Sequence, residues 1–494
     1  MIFGLFKKAE NADLIFKGGK IYTLDPDAPW AEAVACKDGR ILAVGDENVI
    51  ESLAGRDTEV IDLEGGVLLP GFIDTCGHPV LQAFRDVCLI LYDDMTLEQV
   101  LDTVSEYIKN NPDRSGYFAY GFNTQFTLNM TGDEAHAMLD RICTDKPIAL
   151  LDISGFEGWF NTKAMDMVRA SIADEPETPI ITLSYILHVL SPFDFDSLQR
   201  SVIQLAAEFC RKGYTTMFDC GAPDYLHAIY QEMIVEMLQA DMLKQRFIGS
   251  LLITRNISSD YIIRKLNQKC TSCAEIEEYV NCKTLKLILD KSTDLGENMQ
   301  VSPDLLKILA IQASDKGFNL HIDTIGKGAI ADAFEAAFLA RAAGYKRAHF
   351  VIAHSYGLSQ EEKTELILDN ELCETTSTLG DYNKKYRGIE SAKDVTDAID
   401  KLTIDAAVLL GISDDYGSIE NDKFADFVIF DENPFDCNLP RFRSLCSSKT
   451  VIGGEIVYDA KSDNTEKWQE ILKERQNEMN ERTLDEENSG LLDY

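Results

Sequence analysis

Positive charge is in short supply in this sequence: 47 Lys+Arg stand against 83 Asp+Glu, for a formal charge of -36 at pH 7 over 494 residues. That excludes nucleic acid as a partner, because phosphate binding needs a basic footprint. There is no run of about 18 apolar residues, so no membrane span is expected. The apolar start, Met1 to Phe6, is short, runs into Lys7 and Lys8 and lacks a small-residue cleavage site, which argues against a signal peptide. Paired cysteine spacing is missing as well. The closest two of the twelve cysteines, Cys270 and Cys273, have no second Cys or His pair at zinc-ribbon distance. The cysteines therefore read as reduced thiols in a cytoplasm. What remains is the composition of a folded protein, 45% hydrophobic and 26% charged, whose acidity bears on solubility rather than on function.

Length as a prior allows about two to four domains, although an α/β barrel can take well over 200 residues as one unit. The first sixty residues alternate short β-rich runs with turn signals. Asp13 to Lys17, Lys20 to Leu24, Ala33 to Cys36 and Ile41 to Val44 are separated by Gly18-Gly19 and Asp38-Gly39, which predicts a small antiparallel sheet. The same grammar returns at Ala425 to Phe430 and Thr450 to Tyr458, so the two ends are expected to form one discontinuous β-sandwich, 11–66 with 415–460. Between them, 67–412 alternates strand-like runs (Ile148 to Asp152, Thr215 to Asp219, Leu285 to Asp290, Asn319 to Ile322, Phe350 to His354) with amphipathic stretches such as Leu198 to Lys212 and Ala329 to Ala343. Repeated βα units favour a parallel barrel or a doubly wound sheet. Most of these strands end in a polar or metal-capable residue, which is where barrel enzymes place their chemistry. The remainder, 461–494, reads as a charged helix and an acidic tail.

The most informative segment is Leu68-Leu69-Pro70-Gly71-Phe72-Ile73-Asp74-Thr75-Cys76-Gly77-His78. Residues two apart on a strand share a face, so Asp74, Cys76 and His78 are expected to project together, and both Cys and His suit zinc. The segment resembles the first barrel strand of the metal-dependent amidohydrolase superfamily, Pro-Gly-Phe-Ile-Asp followed by His-x-His. Ala12 to Ile15, Gly19 to Thr23, Trp30 to Ala33, Trp159 to Ala164, Leu285 to Asp290 and Gly417 to Ile429 resemble the long-chain branch that includes N-substituted formamide deformylases. The resemblance implies an α/β fold: a TIM-like (β/α) barrel with the composite sandwich beside it, its last unit either missing or degenerate. It also implies one or two divalent ions, zinc foremost, at the barrel mouth, lowering the pKa of a bound water.

Carried over position by position, Cys76 replaces the first His of the pair and His78 keeps the second. His321 and His354 match the two later metal histidines, and Lys286 the lysine that some members carbamylate. Alternation puts Lys286, Ile288 and Asp290 on one face and Leu285, Leu287 and Leu289 on the other. Phe156 stands where the family has a His. The last-strand Asp that serves as base has no counterpart: only a short polar connection, Leu379 to Ser391, separates Thr378 from a helix near Ala392, and Asp381 is the nearest acid. His136, His188, His227 and His349 match no family position, and the eleven other cysteines read as ordinary thiols.

Each candidate has a plainer reading. Cys76 can be a small buried core residue, and Lys286 a lysine paired with an acid. If Cys76, His78, His321 and His354 all held one zinc, the tetrahedron would be full, with no place for water. Two main functions follow. One is metal-dependent hydrolysis of a non-peptide C–N bond in a small amide, formamide or cyclic amide. The other is a catalytically impaired barrel that binds a small molecule or a partner chain. A homo-oligomer stays open too, because a shortened barrel would expose apolar surface.

Overall fold

The computed structural model of the protein describes residues 11–462 except 76, 78, 80–82, 84–87, 93, 129, 153–156, 175–185, 187–188, 191–194, 222–232, 235–236, 239–241, 254–257, 273–279, 291–300, 326, 346–347, 354–372 and 376–391. The expectations for Cys76, His78, His354, Phe156, Asp381, His188, His227, the connection before Ala392 and the acidic tail lie outside the described residues.

The N-terminal part supplies β1 (Ala12–Lys17), β2 (Lys20–Tyr22), β3 (Trp30–Ala31), β4 (Ala33–Lys37), β5 (Arg40–Gly45), β6 (Ala54–Asp62) and β7 (Val67–Pro70). Next come β8 (Phe72–Ile73), β9 (Leu89–Ile90), β10 (Tyr117–Phe122), β11 (Ile148–Asp152) and β12 (Gly158–Phe160). The series β13 (Tyr214–Phe218), β14 (Arg246–Ile253), β15 (Val280–Asp290), β16 (Asn319–Ile325), β17 (Phe350–Ala353) and β18 (Cys373–Thr375) follows. The chain returns through β19 (Phe427–Phe430), β20 (Lys449–Ile452) and β21 (Glu455–Asp459).

The composite sandwich forms from both chain ends. One sheet has the order β5-β4-β1-β6, the other β21-β20-β19-β7-β2-β3. Leu14, Phe16, Val34 and Ile41 of the first pack against Ile21, Leu68, Phe427, Ile429 and Val451 of the second, with the Phe16 and Phe427 rings edge to face at 5.7 Å. The sheets are mixed rather than antiparallel as the sequence suggested: β1 runs parallel to β6, and β2 parallel to β7. The reason for the first is the short helix Glu47–Glu51, which lets the chain cross over and return in the same direction.

The seven-stranded sheet is wholly parallel, with the order β18-β17-β16-β15-β14-β13-β8. It curls: Phe218 at the end of β13 meets His321 of β16, three strands away, with ring centroids 5.6 Å apart. Among the described residues β8 and β18 remain its two edges, so the barrel is incomplete. Ile148–Asp152 is not one of its strands. It sits in a separate sheet, β12-β11-β10-β9, because β11 pairs parallel with β10 and antiparallel with β12. The helix expected near Ala392 begins instead at Val395, capped by the Asp394 side chain on the Asp397 N–H. A second helix, Ile404–Leu410, places Ala406, Ala407 and Leu410 against Ile73, Phe218 and Ile248 of the sheet.

Outer faces are apolar by design of the sequence. Leu285, Leu287 and Leu289 of β15 and Leu320 and Ile322 of β16 pack on Leu306, Leu309, Ala310 and Ala313 of helix Pro303–Asp315. That helix starts where the Ser302 hydroxyl accepts the Leu305 N–H and Pro303 opens the first turn. Ala329, Ala333, Ala336, Ala337 and Ala340 give the next helix, Lys327–Ala342, a small-residue face for close packing on the same core.

The crossing from sandwich to barrel falls at Gly71. Its N–H donates to the Asp426 carbonyl of the sandwich, and the next N–H, of Phe72, donates to Gly213 beside β13. A side chain at 71 would meet Thr215 Oγ1 at 2.3 Å and Cγ2 at 2.4 Å, so only glycine lets the strand change sheets there.

Candidate active site

Two neighbouring strands and the segment after β13 bring four side chains together. Lys286 on β15 stands in register with His321 on β16, and Asp323, two residues on, shares the face of His321. Cys220 arrives from the segment after β13, anchored by its N–H on the Gly77 carbonyl. All four are buried. The Lys286 Nζ donates to Asp323 Oδ1 at 2.5 Å and to Cys220 Sγ at 3.2 Å, and lies 2.8 Å from His321 Nδ1. The Cys220 sulfur is 3.6 Å from His321 Nε2 and 3.8 Å from Nδ1, and Asp323 Oδ1 is 3.7 Å from Nδ1.

The lysine stem is held as tightly as its head. At Gly221, with φ +109°, a Cβ would lie 3.0 Å from Lys286 Cγ and 3.3 Å from Leu252 Cβ. Burial is the largest single influence on the Lys286 ammonium and pushes its pKa down. The Asp323 carboxylate and the Cys220 sulfur together outweigh it, and the net direction is up. Lys286 is thus paired with an acid, Asp323.

Of the residues singled out in the sequence, His321 and Lys286 meet here, whereas Cys76, His78 and His354 lie outside the described residues. His136 Nδ1 is 2.6 Å from the Phe160 carbonyl, which gives that ring a structural partner, and the backbone N–H of His349 donates to Asn319 Oδ1. Two members were missed. Asp323 was legible from its spacing of two after His321, while Cys220, read as an ordinary thiol, reaches the cluster only through the curl of the sheet. A carboxylate does stand beside His321, but it already accepts from Lys286.

The donor types of Cys220, His321 and Asp323 suit zinc. Among the described residues no group of three or more His, Cys, Asp or Glu side chains is placed to hold an ion. The Lys286 ammonium stands where a cation would neutralise them, in contact with all three.

A sequence model of the amidohydrolase family matches residues 59–367 and 373–458. The chain belongs to the amidohydrolase family. It is 29% identical over 177 residues to the exoenzymes regulatory protein AepA of Pectobacterium carotovorum subsp. carotovorum, covering 35% of this chain and 38% of the relative. It is 30% identical over 159 residues to the N-substituted formamide deformylase of Arthrobacter pascens, covering 32% and 29%. The chain thus spans well under half the length of these curated relatives. The fold resembles an adenosine deaminase from Xanthomonas campestris with bound zinc, with a TM-score of 0.53 and 14% identity, covering 94% of this chain and 99% of that one.

Proposed function

We propose that this amidohydrolase-family chain hydrolyses a non-peptide C–N bond in a small amide, an N-substituted formamide or a cyclic amide. The observation that carries the reading is the convergence of Lys286, His321, Asp323 and Cys220 within the parallel sheet that the family match spans. The formamide class draws on the Arthrobacter pascens relative, and zinc on the donor chemistry of the site and the Xanthomonas campestris structure. By the resemblance, His78, His321 and His354 hold the ion, with Cys76 accessory. A bound divalent ion supplies a Lewis acid and an acidified water.

The chain's own described residues do something else. Lys286 and Asp323 hold His321 in one orientation, and burial keeps bulk water from these groups. Among the described residues no helix is long and apolar enough to cross a membrane. Cys36, Cys88, Cys143, Cys210, Cys220, Cys437 and Cys446 carry no disulfide, which agrees with the cytoplasmic placement we propose.

A second reading, a binding or partner subunit without turnover, is favoured by one observation: the ammonium already engages the groups a metal would need. Metal analysis of the purified full chain, followed by assays on N-substituted formamides, linear amides and cyclic amides with and without chelator, separates the two. About one zinc per chain and chelator-sensitive release of amine are expected. A folded chain that stays metal-free and inert after zinc is supplied overturns hydrolysis and supports the second reading. If metal binds and Cys76→Ala changes neither stoichiometry nor affinity, Cys76 is not a ligand.

A further inference from the structure

We infer that the seam between the sandwich and helix Val395–Leu402 carries a binding site for an alkylated ammonium ion, built from the rings of Tyr22, Trp30 and Phe435 with the Asp400 carboxylate beside them. Tyr22 and Trp30 stand opposite each other on β2 and β3, and Phe435 comes from the turn Pro434–Asp436. Ring centroids lie 4.8 Å apart for Tyr22 and Trp30, 5.0 Å for Tyr22 and Phe435 and 5.1 Å for Trp30 and Phe435, at interplanar angles of 48°, 73° and 65°. No pair is stacked flat, and Trp30 is 46% exposed, so ring surface stays open to solvent. Such rings attract a cation through their quadrupoles. Among the described residues no Lys or Arg lies over any of the three.

The acid comes from the helix. Val395, Ala398, Ile399 and Leu402 enter the apolar cluster that Tyr22 and Phe435 pack against, which brings Asp400 to the aromatic group. Burial first, and then the Asp400 charge, raise the pKa of the Tyr22 hydroxyl. Asp400 Oδ1 is shut off from water and accepts no hydrogen bond from a described residue. A carboxylate oxygen left without a donor costs free energy until a partner arrives. Lys401, next along the chain, turns to Asp397 at 3.5 Å instead. Burial, and then the charges of Asp405, Asp397 and Asp394, push the Asp400 carboxyl pKa up, as befits a charge short of a counter-ion. Asp400 as a whole is only half-buried, so a ligand at the surface can reach it.

The two halves select the ligand. Aromatic faces favour a cation that carries apolar substituents, and a carboxylate oxygen favours one that keeps an N–H to donate. A metal ion suits neither, and among the described residues no three His, Cys, Asp or Glu side chains are placed to hold one. The formal charge of -36 favours a cation over an anion. An ammonium with alkyl groups and one N–H meets every condition. The site shares no residue with the Lys286 cluster, and it stands apart from the hydrolysis proposed above.

The test is saturation-transfer NMR on the full-length protein with trimethylammonium chloride, read at its N-methyl protons, with potassium chloride as competitor. Saturable transfer that potassium does not displace at equal ionic strength is expected. Trp30→Leu keeps apolar bulk and removes the indole quadrupole, and it should weaken binding about 2- to 30-fold. Asp400→Asn removes the charge at nearly constant shape and should weaken it about 10-fold or more. No saturable transfer in the parent protein overturns the inference. Displacement by potassium also overturns it, because it would reveal only a diffuse acidic surface, as does unchanged affinity in either folded variant. Should Trp30→Leu not fold, Phe435→Leu puts the same question to the neighbouring ring. Amide turnover is measured separately, so its failure with trimethylammonium still bound would sink the proposed hydrolysis and leave this inference standing.

Discussion

Two Arg or Lys ion pairs are buried among the described residues, and they are built differently. Arg246, the first residue of β14, presents Nε and a terminal nitrogen to the two Asp426 oxygens at 2.6 and 2.8 Å. Asp426 also accepts the Gly453 N–H, and the guanidinium lies 4.1 Å from the centroid of Phe424. These partners are planar groups or a backbone N–H, and together they join the barrel to the sandwich. Lys286 and Asp323 share one nitrogen and one oxygen, and the rest of the ammonium goes to a thiol and an imidazole, both chemically versatile groups. A forked, fully matched pair gives rigidity, whereas a point charge among alternative acceptors leaves a cluster with a second arrangement within reach.

The comparison fails first if Arg246 proves dispensable. Arg246→Ala leaves Asp426 charged and buried, and we expect a loss of about 3–5 kcal/mol in denaturant unfolding. Replacing both partners with apolar residues should recover much of that, since a buried pair is weak evidence of net stabilisation. Lys286→Met should cost less, about 3 kcal/mol at the low end of the same range, because Asp323 can turn to the His321 ring nitrogen 3.7 Å away. A larger loss for Lys286→Met than for Arg246→Ala would reverse the assignment of the structural and the adaptable pair.

Gly71→Ala tests the junction without touching a charge. Overpacking against Thr215 should cost about 1–3 kcal/mol, and adding Thr215→Ala should restore part of it. A surface pair sets the baseline: Asp13 accepts from Lys37 at 2.6 Å and is half exposed. The Asp38 backbone N–H and then Lys37 hold the Asp13 carboxyl below its ordinary 3.8. A lowered carboxyl pKa stabilises the fold above the ordinary value, and that contribution disappears as pH falls through the folded-state pKa. Asp13→Asn should therefore cost no more than about 1 kcal/mol at neutral pH and nothing measurable in acid, by comparing unfolding midpoints at the two pH values.

Much of the architecture was legible because its signals are local. Alternation in Leu285 to Leu289 told the helix-facing side of β15 from the side that carries Lys286, and the β-rich runs at both ends marked the composite sandwich. The mixed pairing of the sandwich was not legible, because it depends on a five-residue helix crossing over. Nor was the separate sheet around Ile148–Asp152, whose hydrophobic run reads like any barrel strand.

Sequence by itself determined the family, the composite sandwich and the face of β15 on which Lys286 lies, since strand periodicity and motif spacing are properties of neighbouring residues. Only tertiary structure decided what Lys286 does. Its partners come from 66 residues before it and 35 and 37 after it. The curl of a parallel sheet sets the distances among them. Whether a buried lysine is neutral or charged follows from the acid and sulfur the fold places around it, and no spacing along the chain fixes that balance.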